Sequence, residues 1–415
     1  MKILVIGGGG REHALAWKLA QSPGVEVFAV PGNPGIAQVA KCVSGDPLDV
    51  ALSTGADLTV VGPEAPLVSG IVDRFRARGL KIVGPAAEDA RLEGSKIFAK
   101  NFFKRSNIPT AAFATAENAA EARRLLDCFG FPVVLKADGL AAGKGVVIAH
   151  DDKQAEATLA TFSGPLVVEE FLQGEEVSFI ALCDGKTALP LAPTQDHKAA
   201  FDGDRGPNTG GMGAYCDSSI LSARQIEEIL CRIILPTVEA TRFTGFLYAG
   251  LMITADGPKV LEFNVRLGDP ETQPLMHRMA TNLAPVLVAA ANSELGSVKL
   301  EWRPGPSVCV VLASGGYPGS YEIGKPIHGI PDAEAVGATV FHAGTRQGPN
   351  GIETAGGRVL GVTAAGNDLP SAINRAYTAV RVIHFEGMHH RTDIGWRGLR
   401  RYNDEWRKRA RSSDG

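Results

Sequence analysis

The sequence lacks the features that are typical of secreted, zinc-binding and membrane proteins. Its six cysteines are spread without CxxC spacing, which argues against both a zinc ribbon and a disulfide framework. No apolar run approaches the ~20 residues that cross a bilayer. The chain enters an apolar strand at Lys2 without a signal-peptide pattern. We therefore expect a cytoplasmic protein with no membrane partner.

An excess of charge of one sign is also missing. Lys and Arg number 42 and Asp and Glu 45, giving a formal net charge of −3. Non-specific nucleic-acid binding depends on a basic field, so we expect no nucleic-acid partner. Only the tail "RRYNDEWRKRARSSDG", residues 400–415, is basic, and we interpret it as a solvated, partly frayed end.

With 415 residues, the chain is long enough for two to four domains. Strands alternate with amphipathic helices over residues 1–100, which predicts a doubly wound parallel sheet, α/β in class. Residues 101–295 form a second block, within which residues 109–174 predict a small antiparallel α+β lid between hinges at Pro109 and Gly174. A third block, 296–415, has the pattern of a mixed α/β domain.

The first glycine loop follows the first strand, in "LVIGGGGREH". A glycine turn between strand and helix presents N–H groups to an anion. A dinucleotide site also requires a third glycine, where this chain has Glu12, and an acidic residue at the end of the second strand, which is missing. An NAD(P)-linked oxidoreductase is therefore disfavoured, although a glycine turn that merely opens a sheet remains an alternative.

A second glycine loop, "VVLKADGLAAGKGVVIA", departs from the P-loop pattern because three residues separate Gly139 from Gly143 and a strand follows. The pattern predicts a hairpin that closes over a nucleotide. Alternation places Lys136 and Asp138 on one face, with Lys136 directed toward a triphosphate beside Lys144. A solvated hairpin tip would show the same pattern.

The stretch "VLEFNVRLGDPETQ" alternates polar and apolar residues. Period two places Val260, Glu262, Asn264 and Arg266 on one face and Leu261 on the other. Carboxylate and amide oxygens suit Mg²⁺, which keeps waters and phosphates as further ligands, and Arg266 could hold a transferring phosphoryl group. An edge strand with a solvated polar face is the alternative.

A third loop, "DHKAAFDGDRGPNTGGMGAY", is rich in glycine. Its glycines permit close approach of the backbone to a ligand, and polar residues such as His197, Asp204 and Asn208 could orient one. An ordinary surface loop with a hydrogen-bonding histidine would look the same.

Together these stretches resemble the ATP-grasp superfamily and, within it, the phosphoribosylamine–glycine ligase family. The resemblance covers nearly the whole chain, and its motifs stand in family order, including "VGPEAPL", "VEEFLQGEE", "GPNTGGMGAY", "RLGDPETQ" and "RTDIGW". It implies an ATP-grasp fold and an ADP-forming ligase of de novo purine biosynthesis. The implied partners are glycine, 5-phosphoribosylamine, ATP and Mg²⁺ or Mn²⁺, on a chain that is a monomer or a dimer.

The resemblance also implies roles for individual residues. It assigns catalysis to Lys144, Asp204, Asn208 and Arg266, and metal binding to Glu262 and Asn264. The implied nucleotide contacts are Lys136, Gly143, Lys144, Gly145, Glu169 at the exocyclic amine, Phe171 and Leu172 through their backbones, and Glu176 at the ribose. The implied substrate contacts are Gly8, Gly9, Gly10, Glu12, Gly211, Asp269 and Pro270.

The chain departs from the family pattern at two of these stretches. Ala199 follows "DHK" where the family often has arginine, so an acceptor contact is either lost or supplied by Arg205. The strand "LYAGLMIT" lacks the carboxylate that many ATP-grasp enzymes carry there, which leaves a second metal site open. Another ATP-grasp ligase or carboxylase, or a non-catalytic nucleotide-binding regulator, remains an alternative.

Overall fold

The first block folds as a five-stranded parallel sheet covered on both faces. The computed structural model describes residues 1–140 and 145–403, and the strand order is β3-β2-β1-β4-β5. The strands are β1 (Lys2–Gly7), β2 (Glu26–Pro31), β3 (Lys41–Cys42), β4 (Leu58–Val61) and β5 (Ile82–Val83). Ile3 and Val5 belong to one buried cluster, whereas Leu4 and Ile6 belong to another. This burial of both faces explains the continuous apolar run of the first strand.

The helices of this block connect successive strands, as the alternating pattern predicts. They are α1 (Gly10–Ala20), α2 (Pro47–Thr54), α3 (Glu64–Val68), α4 (Ile71–Arg76), α5 (Ala87–Gly94) and α6 (Lys96–Arg105). A short 3₁₀ turn spans Ile36–Gln38. The stretch "GPEAPLVSG" after β4 contains α3, whose first residue, Glu64, reaches the cleft described below.

The lid folds as the sequence predicts, as a four-stranded antiparallel sheet in the order β6-β9-β7-β8. Its elements are β6 (Phe113–Ala116), α7 (Ala119–Leu125), a 3₁₀ turn (Leu126–Cys128), β7 (Val133–Ala137), β8 (Val146–Ala149), α8 (Asp152–Leu159) and β9 (Leu166–Glu170). The lid has a small apolar core of its own, separate from the two large clusters.

A nine-stranded antiparallel sheet joins the second and third blocks. Its path is β17-β16-β10-β12-β15-β18-β22-β19, with β11 paired to β10. The strands are β10 (Glu175–Asp184), β11 (Ala188–Pro190), β12 (Thr194–Asp196), β15 (Gly213–Cys216), β16 (Thr244–Thr254), β17 (Gly257–Asn264), β18 (Ser307–Ala313), β19 (Thr339–His342) and β22 (Arg358–Ala365). Since β15 pairs with β18, the expected boundary at residue 296 lies inside one continuous sheet.

The remaining elements surround this sheet. The hairpins are β13 (Ala199–Phe201) with β14 (Arg205–Asn208) and β20 (Thr345–Gly348) with β21 (Gly351–Thr354). The helices are α9 (Ala223–Ile229), a π turn (Leu230–Ile234), α10 (Leu235–Thr241), α11 (Thr272–Arg278), α12 (Leu283–Ala291), a 3₁₀ turn (Leu295–Ser297), α13 (Ile330–Ala335) and α14 (Leu369–Val380). The sequence did not predict α11, α13 or the second hairpin.

The prediction of a frayed tail is wrong for its first residues. Residues 396–403 are helical, and the Arg401 guanidinium forms an ion pair with Glu175 and donates to the Tyr215 hydroxyl at 2.5 Å. Tyr402 donates to Asp217 at 3.0 Å. The end of the tail, residues 404–415, lies outside the described residues. None of the helices among residues 1–140 and 145–403 combines the length and apolar character that spanning a bilayer requires.

Candidate active site

A cleft of about 770 Å³ lies where the lid, the large sheet and the first block meet. Twelve of the residues predicted to act in the site line it: Lys136, Gly145, Glu169, Phe171, Leu172, Glu176, Asp204, Asn208, Glu262, Asn264, Arg266 and Asp269. Gly8, Gly9, Gly10, Glu12, Gly211 and Pro270 lie outside its lining. Gly143 and Lys144 lie outside the described residues, so their predicted roles stay predictions.

The lid side of the cleft carries a buried network of two cations and one carboxylate. On β7, Val133 and Leu135 pack in the lid core while Lys136 faces the cleft, as the alternation predicts. Glu169 on β9 forms ion pairs with both Lys136 and Lys100, the latter on α6. Burial lowers the pKa of Lys100 to about 8, with Glu169 opposing the shift. The network keeps a net positive charge, which suits a polyphosphate.

The ion pairs also bear on the predicted adenine contact. Both carboxylate oxygens of Glu169 face lysine ammonium groups, so this side chain is engaged within the protein. Phe171 and Leu172 follow β9 and line the cleft beside the apolar lid residues Leu140 and Ile148, which are 48% and 43% exposed. An apolar wall of this kind suits a flat aromatic base.

The predicted face of the metal-binding strand is correct for Glu262 and Asn264 but wrong for Val260. A β-bulge in β17 pairs Gly250 with Glu262 and Leu251 with Val260, so Leu261 is the extra residue. Val260 is therefore fully buried in the core, whereas Leu261 lines the cleft. One extra residue reverses the alternation on one side of the bulge.

Glu262 is the one carboxylate of this strand, and 40% of its side chain is exposed. Burial acts to raise its pKa, but the charges of Lys198, Lys136 and Lys96 hold the pKa below its usual value. The Lys198 ammonium lies 3.7 Å from Glu262 and also pairs with Glu176. Glu262 is therefore an anion at neutral pH, which a metal ligand must be.

Arg266 follows the strand and connects the site to the first block. Its guanidinium lies 2.7 Å from Glu93 and 3.2 Å from Glu64, and it donates to the Asn264 side-chain oxygen at 3.2 Å. Burial opposes its charge, yet these carboxylates raise the pKa of Arg266 further. The arginine is thus a fixed cation at the end of the cleft opposite the lid.

The glycine-rich loop of the large sheet is held by side chains that lie far away in sequence. Asp204 has a φ of +55° and accepts from Arg391 at 2.9 Å and Arg397 at 2.7 Å. Burial acts to raise the pKa of Asp204, but His197 and the two arginines hold the pKa far below its usual range. Burial lowers the pKa of His197 to about 4, so this imidazole is neutral.

The same loop is attached to the third block at Gly210. Its N–H donates to the Tyr317 hydroxyl at 3.1 Å, and its carbonyl accepts from Arg358 at 2.6 Å. Arg358 also pairs with Asp269 at 3.1 Å. Gly211 has a φ of +111°, and a Cβ there would lie 2.4 Å from Pro270. These contacts place Gly211 and Pro270 in a packed joint behind Asp269.

The first glycine loop is closed by protein atoms. Glu12 accepts from the Gly9 N–H at 2.6 Å and from Arg11 at 2.5 Å. A Cβ at Gly10 would lie 2.7 Å from the Gln273 side chain and 3.6 Å from Asp269. The loop therefore reaches the cleft only through its contacts with Arg11 and Asp269, which line the cleft.

Sequence reasoning missed several residues of the site. Lys100, Glu93, Tyr317, Arg358 and Arg397 all line the cleft. Glu93 stands in the motif "EGSK", which marked the family without assigning it a role, and Lys100 lies four residues beyond that motif. Lys198, which also lines the cleft, was expected only as one of the polar residues of the third loop. Arg205, the suggested substitute for an arginine at position 199, donates to the Asp202 carbonyl at 3.1 Å and lies outside the cleft lining, whereas Arg358 and Arg397 lie in it.

The donor atoms near Glu262 and Asn264 limit how a metal ion could bind there. Among the described residues, no three His, Cys, Asp or Glu side chains are grouped so that they could hold a metal ion alone. Glu262 and Asn264 offer two hard oxygen donors, which fits Mg²⁺ or Mn²⁺ only when phosphate oxygens and waters supply the other ligands.

Comparison with known proteins agrees with this architecture. Residues 1–93, 94–272 and 307–397 match family models described as the N, ATP-grasp (A) and C domains of phosphoribosylglycinamide synthetase. The phosphoribosylamine–glycine ligase of Escherichia coli strain K12 is 50% identical, covering 97% of this chain and 99% of that protein. That of Rhizobium meliloti strain 1021 is 49% identical, with the same two coverages.

Solved structures give the same result. The crystal structure of phosphoribosylamine–glycine ligase from Thermotoga maritima has a TM-score of 0.84 at 35% identity, covering 95% of this chain and all of that chain. The biotin carboxylase domain of Hydrogenobacter thermophilus 2-oxoglutarate carboxylase, with a TM-score of 0.72 at 18% identity over 94% of this chain and 91% of that chain, shares the fold. The chain belongs to the phosphoribosylamine–glycine ligase family of ATP-grasp enzymes.

Proposed function

We propose that the protein joins glycine to 5-phosphoribosylamine at the expense of ATP, in purine biosynthesis. An oxygen of the glycine carboxylate attacks the γ-phosphorus, and ADP leaves. The phosphoribosylamine nitrogen then attacks the glycyl carbon, inorganic phosphate leaves with the bridging oxygen, and the nitrogen loses a proton. The products are glycinamide ribonucleotide, ADP and phosphate.

The observation that carries the proposal is the cleft itself, because cations surround a volume that accommodates two substrates. Lys136 reaches it from the lid strand β7, Lys100 from α6, Lys198 from the loop after β12 and Arg266 from the segment after β17. Fixed cations stabilise the charge that develops on a transferring phosphoryl group. Membership of the family identifies the reacting groups; the charges explain why they react in this cleft.

We assign the nucleotide to the lid side. Leu140, Ile148, Phe171 and Leu172 offer an apolar surface for the base, and its polar contacts are assigned to the backbones of Phe171 and Leu172. Glu176 is assigned to the ribose, and Lys136, Gly143, Lys144 and Gly145 to the phosphates. Glu262 and Asn264 would hold Mg²⁺ or Mn²⁺, which neutralises phosphate charge when it is bound.

We assign phosphoribosylamine to the side formed by the first block and the "GPNTGGMG" loop. Asp204 and Asn208 line the cleft there, and Asp269 is held by Arg358. Gly8, Gly9, Gly10, Glu12, Gly211 and Pro270 shape this side from behind. The division at residues 100 and 295, a monomer or dimer, and a cytoplasmic location remain predictions from the sequence.

A test of the proposal measures ADP release with glycine, freshly generated phosphoribosylamine and ATP, each omitted in turn. We expect full turnover only with all three, and no turnover when bicarbonate replaces glycine. ADP release that depends on bicarbonate, or that ignores both organic substrates, would assign the chain to another ATP-grasp activity.

A further inference from the structure

One buried carboxylate in the cleft has no partner. Asp196 ends β12, is 7% exposed and lines the cleft, yet among the described residues its carboxylate has no hydrogen bond or ion pair. Its main chain pairs with Ala214 of β15, and its carbonyl also accepts a 3.1 Å hydrogen bond from Arg397. Because a buried carboxylate is costly to ionise without a partner, a bound cation would supply the counter-charge that Asp196 lacks.

The carboxylates that surround Asp196 are all partnered. Glu271 accepts from Tyr248 at 2.8 Å and from Ser178 at 3.2 Å, and Glu176 is paired with Lys198. The nearby ammonium group of Lys198 is therefore already paired with another carboxylate. Burial raises the pKa of Asp196 to about 8, with Lys198 opposing the shift and Glu271 adding to it.

The place of Asp196 in the cleft identifies the cation. Lys198 lies two residues further along the chain and reaches Glu262 on the predicted metal strand at 3.7 Å. Tyr248 has Asp196, Glu262 and Glu271 among its charged neighbours. Asp196 therefore shares a part of the cleft with Lys198 and Glu262, so a small molecule bound beside the predicted metal strand would meet its carboxyl group.

We infer that Asp196 binds the ammonium group of the amino-acid substrate and so distinguishes glycine from acids that lack an amine. The inference rests on the proposed function, since it requires an amino acid whose carboxylate faces the γ-phosphate. A metal ion is a poorer occupant, because Asp196 offers one carboxylate whose acidic neighbours are already partnered, whereas the proposed metal site combines the oxygens of Glu262 and Asn264. An ammonium needs only one carboxylate and hydrogen-bond acceptors.

The test compares glycine with glycolate, which carries a hydroxyl in place of the ammonium. Calorimetric titration of Asp196→Asn, with a non-hydrolysable ATP analogue present, should show glycine binding weakened about 10- to 100-fold, the loss of one charge-assisted hydrogen bond. Glycolate binding and the affinity for the ATP analogue should stay within about twofold of wild type. In turnover, the KM for glycine should rise far more than kcat falls.

Two further variants separate recognition from structure. Glu170→Gln removes one negative charge from the hinge side of the cleft, where Glu170 pairs with Lys259 at 3.4 Å, and should leave glycine affinity within twofold. Asp196→Glu keeps the charge and should recover part of the affinity. Because Asp196→Asn replaces a buried carboxyl group that has no side-chain partner among the described residues, its melting temperature should equal or exceed that of wild type.

Equal losses for glycine and glycolate, unchanged glycine affinity, or a lower melting temperature in Asp196→Asn would overturn the inference. These outcomes are distinct from failure of the proposed function, in which wild type itself would release no glycine-dependent ADP. An active wild type with an Asp196→Asn variant that binds glycine normally would refute the inference alone.

Discussion

The two glycine loops of this chain are both rich in glycine, but the first is packed against protein atoms and the second borders open space. In the first loop a Cβ at Gly8 would lie 2.5 Å from the Gly32 carbonyl oxygen, and one at Gly10 would lie 2.7 Å from Gln273. In the second loop Gly139 has a φ of +88° and a Cβ there would meet nothing within 4 Å. Glycine is needed for space in the first loop and for backbone conformation in the second.

The difference indicates what each loop does. Asn33 bridges the Gly8 and His342 carbonyls at 2.9 and 2.8 Å, so the first loop joins the first block to the third. The second loop stands at the rim of the cleft, attached at its base by Asp138, which accepts from Ser95 and Ile97. The first loop joins the first block to the third, whereas the second loop forms the exposed edge of the lid.

The largest expected effect is the loss of turnover when the predicted metal ligand Glu262 is changed. Glu262→Gln removes the anionic metal ligand and should lower kcat about 100-fold or more, because charge on the transferring phosphoryl group is no longer neutralised. The melting temperature should be unchanged, since 40% of this side chain is exposed. Steady-state ADP release measures the rate. Glu228→Gln, which removes an acid paired with Arg232 away from the cleft, should retain wild-type turnover, and full activity in Glu262→Gln would refute the metal assignment.

The next effect compares the two loops directly. Gly8→Ala should lower the free energy of unfolding by about 2–3 kcal/mol, because the new methyl group overlaps a backbone carbonyl that cannot move aside. Gly139→Ala should cost only about 1 kcal/mol, the strain of a left-handed residue in open space. Urea unfolding of both variants measures the difference. Equal losses would mean that the first loop is not a packed joint.

Low pH should weaken the contact between the first and third blocks and so lower the free energy of unfolding. Burial lowers the pKa of His13 to about 3, with His342 adding to the shift, and its neutral ring accepts from the His342 N–H at 2.7 Å. The unfolded chain protonates this histidine near pH 6.5, so its contribution is complete above that pH and falls as the pH drops toward 3. At pH 5 the loss is about 2 kcal/mol. In His13→Gln, urea unfolding should show a pH slope smaller by one proton between pH 6.5 and 5; an unchanged slope would contradict the assignment.

The smallest expected effect is a difference between the two loops in their amide-exchange rates. A non-hydrolysable ATP analogue should slow amide exchange at Gly139, Leu140, Gly145 and Val146 about tenfold, as lid closure commonly does. Exchange at Gly9, whose N–H is bonded to Glu12, should be slow in both states. Mass spectrometry of exchanged peptides measures both. A nucleotide effect on the first loop and none on the second would reverse the roles of the two loops.

The fold was predictable from periodicity where long elements follow one rule. Four of the five parallel strands, the antiparallel lid and the faces of β7 follow from residue spacing alone, whereas the two-residue strand β3 does not. The bulge at Leu261 was not predictable, because one inserted residue leaves the apolar pattern intact while changing which side of the strand it occupies. The helix α11 was missed because "PETQPLMHR" carries two prolines and little amphipathic pattern.

The site was predictable in its residues but less so in its pairings. Glu262, Asn264 and Lys136 follow from chemistry and alternation, whereas the partners of Arg266 and Asp204 do not. Glu64 lies 202 residues from Arg266, and Arg391 lies 187 residues from Asp204. Contacts over such distances are set by how the blocks pack, which no local pattern contains.

The central claim, that glycine is activated as a glycyl phosphate in this cleft, is tested most directly by following its oxygen atoms. Glycine carrying ¹⁸O in both carboxylate oxygens is turned over with ATP and phosphoribosylamine, and the products are analysed by mass spectrometry. The account predicts one ¹⁸O in the released phosphate and one in the amide of the product. Phosphate without ¹⁸O would contradict it, because the carboxylate would not have been phosphorylated.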